Sequence, residues 1–141
     1  DLERAVAWHK QTNSQEISFQ HSLLAEAHFR QGDLAGARRN FEEALKAMRA
    51  QYGDKHITTA TMISNLGVVT DDAGDAVTAE RYFAEAAAIL RELPGPPGNL
   101  LFPLGGLQRA HFFRGEYTEA RMICEEAYAH ARKTSGERSL N

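Results

Sequence analysis

Cysteine, tryptophan and long apolar runs are scarce in this sequence of 141 residues. Its single cysteine, Cys124, excludes an intramolecular disulfide, so a reducing compartment, the cytoplasm, is the simplest location to predict. No apolar stretch approaches the roughly 20 residues needed to span a bilayer. The net charge of −3 gives no reason to expect nucleic acid or a membrane surface as partner. With 43% hydrophobic and 25% charged residues, the sequence predicts a folded domain.

Motifs that carry catalysis or bind metal ions are missing as well. The sequence has no HExxH, no paired CxxC, no acidic calcium loop, no GxSxG elbow and no nucleotide-binding glycine loop. His21 and His28 are two helical turns apart, too far for a shared ion without further ligands. We therefore predict no enzyme, no catalytic residue, no metal site and no cofactor.

A glycine followed by an acidic residue occurs three times, at spacings of 42 and 41 residues. In each case an alanine stands five residues after the glycine and another stands twelve residues after it. Such a period is typical of repeat arrays, in which each unit must stack on its neighbours to bury its hydrophobic face. The recurrence favours recognition over catalysis, and the three pairs are Gly32-Asp33, Gly74-Asp75 and Gly115-Glu116.

Each unit is predicted to be two helices joined by a tight turn. Apolar residues recur at helical spacing on both sides of each pair, in the first unit over residues 17–31 and 34–51. Gly32 suits the position after a helix because glycine adopts positive φ without a side-chain penalty. Asp33 can then cap the next helix with its carboxylate. The sequence thus predicts an all-α solenoid of antiparallel helix pairs.

The register of the three units gives packing roles to residues that could otherwise suggest chemistry. Cys124 lies where Phe41 and Phe83 lie in their units, so we expect a buried small hydrophobe rather than a reactive thiolate. His28 and His111 share one repeat position, and we expect both to be packing residues rather than metal ligands.

These positions resemble the tetratricopeptide repeat, whose ordinary unit has about 34 residues. A 42-residue unit resembles the extended form found in kinesin light chains, and the linker 52–56 followed by Asn65-Leu66-Gly67 is similar to that subgroup. The resemblance implies a right-handed α-solenoid of three repeats plus a partial N-terminal helix. The matching positions are Leu24-Ala25, Gly32, Ala37, Phe41 and Ala44, then Leu66-Gly67, Gly74, Ala79, Phe83 and Ala86, and more loosely Leu107, Gly115, Ala120 and Ala127.

The repeat register also divides the chain, which we expect to be one domain over 1–141. Residues 1–14 are predicted to be the tail of a preceding repeat, followed by repeat 1 over 17–56, repeat 2 over 57–98, and repeat 3 with the start of the next linker over 99–141. Neither end looks like the polar cap that solenoids need, and the sequence does not begin with methionine. We expect a fragment of a longer array.

Within repeat 3, Pro103 is expected only in the first turn of its helix, which Gly105 and Gly106 weaken by on the order of 1 kcal/mol each.

The resemblance implies a protein-interaction module that binds an extended peptide or partner helix in the concave groove lined by the first helices. Asn65 stands where related extended repeats carry an asparagine that bonds the peptide backbone; an inter-repeat hydrogen bond is the alternative role. Phe102, Phe112 and Phe113 are expected either to form an apolar pocket or to be buried in the core or against a further repeat. The predicted groove residues are Leu23, Glu26, Arg30, Ser64, Asn65, Val68, Arg109 and Phe112.

A second hypothesis assigns the chain to a different class, a structural spacer or self-association arm of a multidomain regulator. Open repeat ends, including Trp8, would then make the contacts. A regulatory domain of a kinase or transcription factor is a third hypothesis. For the interaction module, the expected partner is a protein or peptide ligand, and the expected context is a larger adaptor or regulatory protein.

Overall fold

The computed structural model describes residues 2–94 and 98–138, with side chains described at 4, 12–94 and 99–133. Short turns separate the helices that these residues form, and no strand occurs among them. The helices are α1 (Leu2–Arg30), α2 (Leu34–Tyr52), α3 (Ile57–Asp72), α4 (Ala76–Glu92), α5 (Gly98–Phe113) and α6 (Tyr117–Arg138). The predicted all-α architecture is confirmed.

Each Gly-acid pair forms the turn between two antiparallel helices, as predicted. Gly32, Gly74 and Gly115 have φ of 78°, 89° and 78°, the left-handed region in which glycine is favoured. Asp33 caps α2 by accepting a hydrogen bond from the Gly36 amide at 2.9 Å. In the same way, Asp75 caps α4 by accepting a hydrogen bond from the Thr78 amide at 3.1 Å. The turns therefore build three helical hairpins.

The hairpins stack side by side, so that α1, α3 and α5 form one layer and α2, α4 and α6 form the other. Within the first layer, Ser22 Oγ lies 3.8 Å from Met62 Sδ, and Arg109 pairs with Asp71. In the second layer, Arg49 Nη2 lies 2.6 Å from Glu85 Oε1. Two apolar clusters fill the space between the layers. One is built around Phe41, Ile63 and Leu66, and the other around Phe83, Leu100 and Leu104.

Helix boundaries differ from the predicted ones at three places. Helix α1 runs from Leu2 to Arg30 without a turn between the predicted tail and repeat 1, because neither glycine nor proline interrupts it. Helix α6 continues to Arg138 through the predicted linker, since one glycine in a helix costs only about 1 kcal/mol. Pro103 lies in the second turn of α5 rather than the first, where its missing N–H costs one helical hydrogen bond.

Cys124 is exposed, so the expectation of a buried residue was wrong. Phe83, at the same repeat position, lies between Gly67 of its own hairpin and Gly106 of the following one. For Cys124 the described chain provides no following hairpin, so the side chain lacks the packing partner that Gly106 is for Phe83. Trp8, assigned to an open end, lies outside the described side chains.

Candidate peptide-binding surface

The residues predicted to line the groove lie on α1, α3 and α5, and we call the exposed side of these three helices the inner face. On α1 it presents Leu23, whose side chain is 55% exposed, one turn after the exposed Phe19. Glu26 and Arg30 follow on the same helix and form an ion pair, with Arg30 Nη2 2.8 Å from Glu26 Oε1. This part of the face therefore combines an apolar patch with an exposed ion pair.

Helix α3 presents Asn65 at the centre of the inner face. Its side chain is half-buried, and its amide makes no hydrogen bond to any other described residue. The inter-repeat hydrogen bond considered as its alternative role is thus not formed within the described part of the chain. An amide that can donate and accept is left available at the surface.

Ser64, the residue before Asn65, does not belong to this surface. It is 2% exposed, and its hydroxyl donates a hydrogen bond to the Ala60 carbonyl at 3.0 Å. Serine in a helix commonly satisfies its hydroxyl in this way. Its prediction as a groove residue was wrong. Val68, one turn after Ser64, is half-buried and packs against the second apolar cluster.

Helix α5 completes the inner face with Arg109 and three phenylalanines. Arg109 forms its ion pair with Asp71 of α3. Phe112 is 52% exposed and makes edge contacts with Phe113 and Tyr117, at ring-centroid distances of 5.9 and 5.5 Å. Phe102 is also more than half exposed. These rings are not core residues of the described chain.

A cavity of about 350 Å³ lies between the α3–α4 hairpin and α5. Of the rings predicted to form an apolar pocket, Phe113 lines it, whereas Phe102 and Phe112 do not. Gly106 and Phe83 line it as well. Four charged residues are also part of its lining: Asp71, Glu80, Arg109 and Arg114.

A charged cluster joins repeats 2 and 3 beside this cavity. Glu116 Oε2 lies 2.6 Å from His111 Nδ1 and 2.8 Å from Arg114 Nη2. Arg114 also bridges to Glu80 of α4, with Nη2 3.0 Å from Oε1. The hydrogen bonds from Arg114 and His111 lower the pKa of Glu116 to about 2, and those from Arg114 also lower the pKa of Glu80.

His111 has a counterpart in His28, whose Nδ1 lies 2.8 Å from Asp33 Oδ2. Both histidines therefore bind the acidic residue of the Gly-acid turn, a role that sequence reasoning missed when it assigned them to packing. The signal was present, because each histidine precedes the acidic residue by five positions across the turn.

The described side chains contain no group of three or more histidine, cysteine or acidic residues placed to hold a metal ion. Within the same part of the chain, no helix has the length and apolar character that crossing a membrane requires.

The family follows from comparison with known proteins. The model of the tetratricopeptide repeat family matches residues 17–92, more than half of the chain. The chain belongs to the tetratricopeptide repeat family. Rat and mouse tetratricopeptide repeat protein 19, mitochondrial, are each 30% identical to it over 98 residues, which cover 70% of the chain. The human protein of that name is 28% identical over 104 residues. The matched region spans about a quarter of these relatives, 26% of the rat protein.

A solved structure supports the fold of this tetratricopeptide repeat chain. It is described as the crystal structure of BtubC (BKLC) from P. vanneervenii and superposes with a TM-score of 0.79 at 20% sequence identity. The superposition covers 84% of this chain and 48% of that one. At this identity, the likeness shows the repeat solenoid only.

Proposed function

We propose that this chain binds an extended peptide or a partner helix along its inner face, as part of a larger adaptor or regulatory protein. Tetratricopeptide repeat proteins are generally protein-interaction scaffolds without enzymatic activity. The assignment of binding to the groove is our own. The observation that supports it most is the environment of Asn65.

Asn65 supports this assignment through its burial and its lack of partners. A half-buried amide without a hydrogen bond to the described residues can donate to a ligand carbonyl and accept from a ligand N–H. An extended backbone offers both groups at regular intervals, as recognition of extended peptides requires. The exposed Leu23 and Phe19 on the adjacent helix supply apolar contact for ligand side chains.

Charged residues on the inner face would set ligand specificity. Arg109 is 50% exposed and its partner Asp71 is 27% exposed, so solvent weakens this ion pair. A ligand carboxylate can therefore bind Arg109 in competition with Asp71, at a small cost in free energy. Glu26 and Arg30 offer the same exchange on α1. Phe112 provides an aromatic contact beyond Arg109.

Selection from a peptide library on the immobilised chain tests this proposal. Asn65→Ala should weaken the selected peptides about tenfold, because it removes two backbone hydrogen bonds of roughly 0.5–1.5 kcal/mol each. Arg109→Glu should change which peptides are selected. Asn13→Ala on α1 and Arg81→Glu on α4, both exposed, are the matched controls. Binding that is unchanged in both inner-face variants would remove the groove from the proposal.

A second candidate function is a structural spacer that self-associates through its open repeat ends. The exposed apolar side chains at the two ends of the array support it, with Leu24 50% exposed on α1 and Tyr128 66% exposed on α6. Sedimentation at increasing concentration tests it, because a strictly monomeric chain would contradict self-association.

Two finer assignments accompany the function. The spacings of 42 and 41 residues and the linker 52–56 support membership of the extended, kinesin-light-chain-like subgroup. The single cysteine supports a cytoplasmic location, whereas the mammalian relatives are named mitochondrial. Localisation of the tagged parent protein by microscopy distinguishes the two compartments.

A further inference from the structure

An ion pair recurs between successive second helices. Arg49 of α2 contacts Glu85 of α4, with Nη2 2.6 Å from Oε1. Arg91 of α4 contacts Glu126 of α6, with Nε 2.7 Å from Oε1 and Nη2 2.8 Å from Oε2. The two arginines are 42 residues apart and the two glutamates 41, so the pairs occupy the same repeat positions. Each pair joins one hairpin to the next.

At each end of the array, one residue at a position of this recurring ion pair has no ion-pair partner among the described residues. Arg132 follows Arg91 by 41 residues, at the arginine position of α6. It is exposed, lies 5.9 Å from the centroid of the Tyr128 ring, and forms no ion pair with a described residue. Glu43 precedes Glu85 by 42 residues, at the glutamate position of α2. It is exposed and likewise lacks an ion-pair partner in the described part of the chain.

At the N-terminal end, an apolar residue is likewise exposed at a position that is buried in the later repeats. Leu24 is 50% exposed, whereas Leu66 and Leu107, at its position in the later repeats, are 0% and 7% exposed. Those two leucines belong to apolar clusters that include residues of α2 and α4, the second helices of the preceding hairpins. The occupant that fits over Leu24 is therefore another such second helix.

The C-terminal end presents the complementary surface. Tyr128 is 66% exposed, whereas Leu45 and Ala87, at its position in the earlier repeats, are 6% and 0% exposed. Cys124 is exposed where Phe41 and Phe83 are buried. The outer surface of α6 thus has the positions that cover the next first helix, without a next helix in the described chain.

We propose that the chain stacks head to tail on a second copy of itself, with α6 of one copy against α1 and α2 of the next. Arg132 then pairs with Glu43 of the second copy, which repeats the contacts of Arg49 and Arg91. This inference rests on the self-association candidate and adds its geometry. The apolar residues supply most of the affinity, since exposed ion pairs contribute little, and the ion pair sets the orientation. A contact between two different surfaces leaves both ends of the assembly open, so growth continues beyond a dimer.

Sedimentation velocity on the 141-residue chain, from micromolar to near-millimolar concentration, tests the stacking. The unmodified chain should form species larger than a dimer. Arg132→Glu and Glu43→Arg should each weaken association about fivefold, because attraction at one contact becomes repulsion. The double variant should return to within about twofold of the unmodified chain. An equimolar mixture of the two single variants should also associate, since each then meets an opposite charge.

Arg81→Glu makes the same charge change on the exposed surface of the middle hairpin and is the matched control. Circular dichroism establishes that all variants are folded, and every substituted side chain is exposed. Association that is insensitive to both charge reversals would overturn the head-to-tail geometry while leaving self-association standing. A chain that stays monomeric throughout would overturn both. Peptide binding at the inner face is measured separately and depends on neither result.

Discussion

The ring of Phe83 lies so close to Gly106 that a Cβ atom at this glycine would come within 2.5 Å of it. On its other side, a Cβ atom at Gly67 would come within 2.7 Å of the same ring. Phe83 is 3% exposed and is therefore held between two first helices by the absence of side chains on both. The ring cannot move away from one glycine without approaching the other, so both glycines are required where repeats 2 and 3 meet.

Substitution of the two adjacent glycines of α5 should have opposite effects. Gly106→Ala should lower the free energy of unfolding by up to about 2 kcal/mol, because an overpacking cost of roughly 1–3 kcal/mol outweighs a helix-propensity gain of about 1 kcal/mol. Gly105 is exposed, and no atom lies within 4 Å of a Cβ added to it. Gly105→Ala should therefore raise the free energy of unfolding by up to about 1 kcal/mol. Denaturant unfolding measures both, and equal effects would contradict the packing of Phe83.

Acid should destabilise the chain through the cluster around Glu116. The pKa of this carboxyl is lowered from 4.5 to about 2, so between these values the unfolded state binds more protons than the folded state. The stabilisation is complete above about pH 4.5 and is lost as the pH falls toward about 2. Thermal unfolding from pH 6 to pH 2 should show a shallower decline for Glu116→Gln. Glu119→Gln, on the exposed surface of α6, is the control and should follow the unmodified chain.

Cys124 should react with a thiol reagent in the native state. Its exposure at the surface of α6 predicts labelling by a maleimide at a rate close to that of the unfolded chain, measured at low protein concentration. Slower labelling at high concentration is expected if copies stack over this surface. Protection of about a hundredfold at low concentration would mean that the thiol is buried after all.

Asn65→Ala should leave stability nearly unchanged. The amide makes no hydrogen bond to another described residue, so its removal should change the free energy of unfolding by no more than about 0.5 kcal/mol. Thermal and denaturant unfolding provide the comparison, with Asn13→Ala as reference. A loss of about 1 kcal/mol or more would indicate that Asn65 bridges the repeats instead of awaiting a ligand.

Much of the fold was predictable because the strongest local signals recur. Gly32 and Gly74 adopt the positive φ that the turn requires, and the aspartates after them cap the next helices. Because these signals recur in successive units, each unit gives the same alignment of repeat positions. That register also located the unmatched Arg132 and Glu43 once the ion pairs of the earlier repeats were known.

Features that depend on neighbours were less predictable. The repeat position of Cys124 predicted burial, but burial there requires a following hairpin that the described chain does not supply. Ser64 and Asn65 are adjacent, and a rotation of about 100° between successive helical residues separates a buried hydroxyl from an available amide. For Gly106, its effect on helix propensity was readable from the sequence, whereas the ring of Phe83 packed against it was not.

The most direct test of peptide binding at the inner face is chemical-shift mapping of the labelled chain during titration with a peptide selected from the library. Backbone amides of α3 around Asn65 and of α5 around Arg109 should shift most, and Asn65→Ala should markedly reduce these changes at a peptide concentration near the dissociation constant of the unmodified chain. Shifts confined to α2, α4 and α6 would contradict the account, because they would place the ligand on the opposite layer.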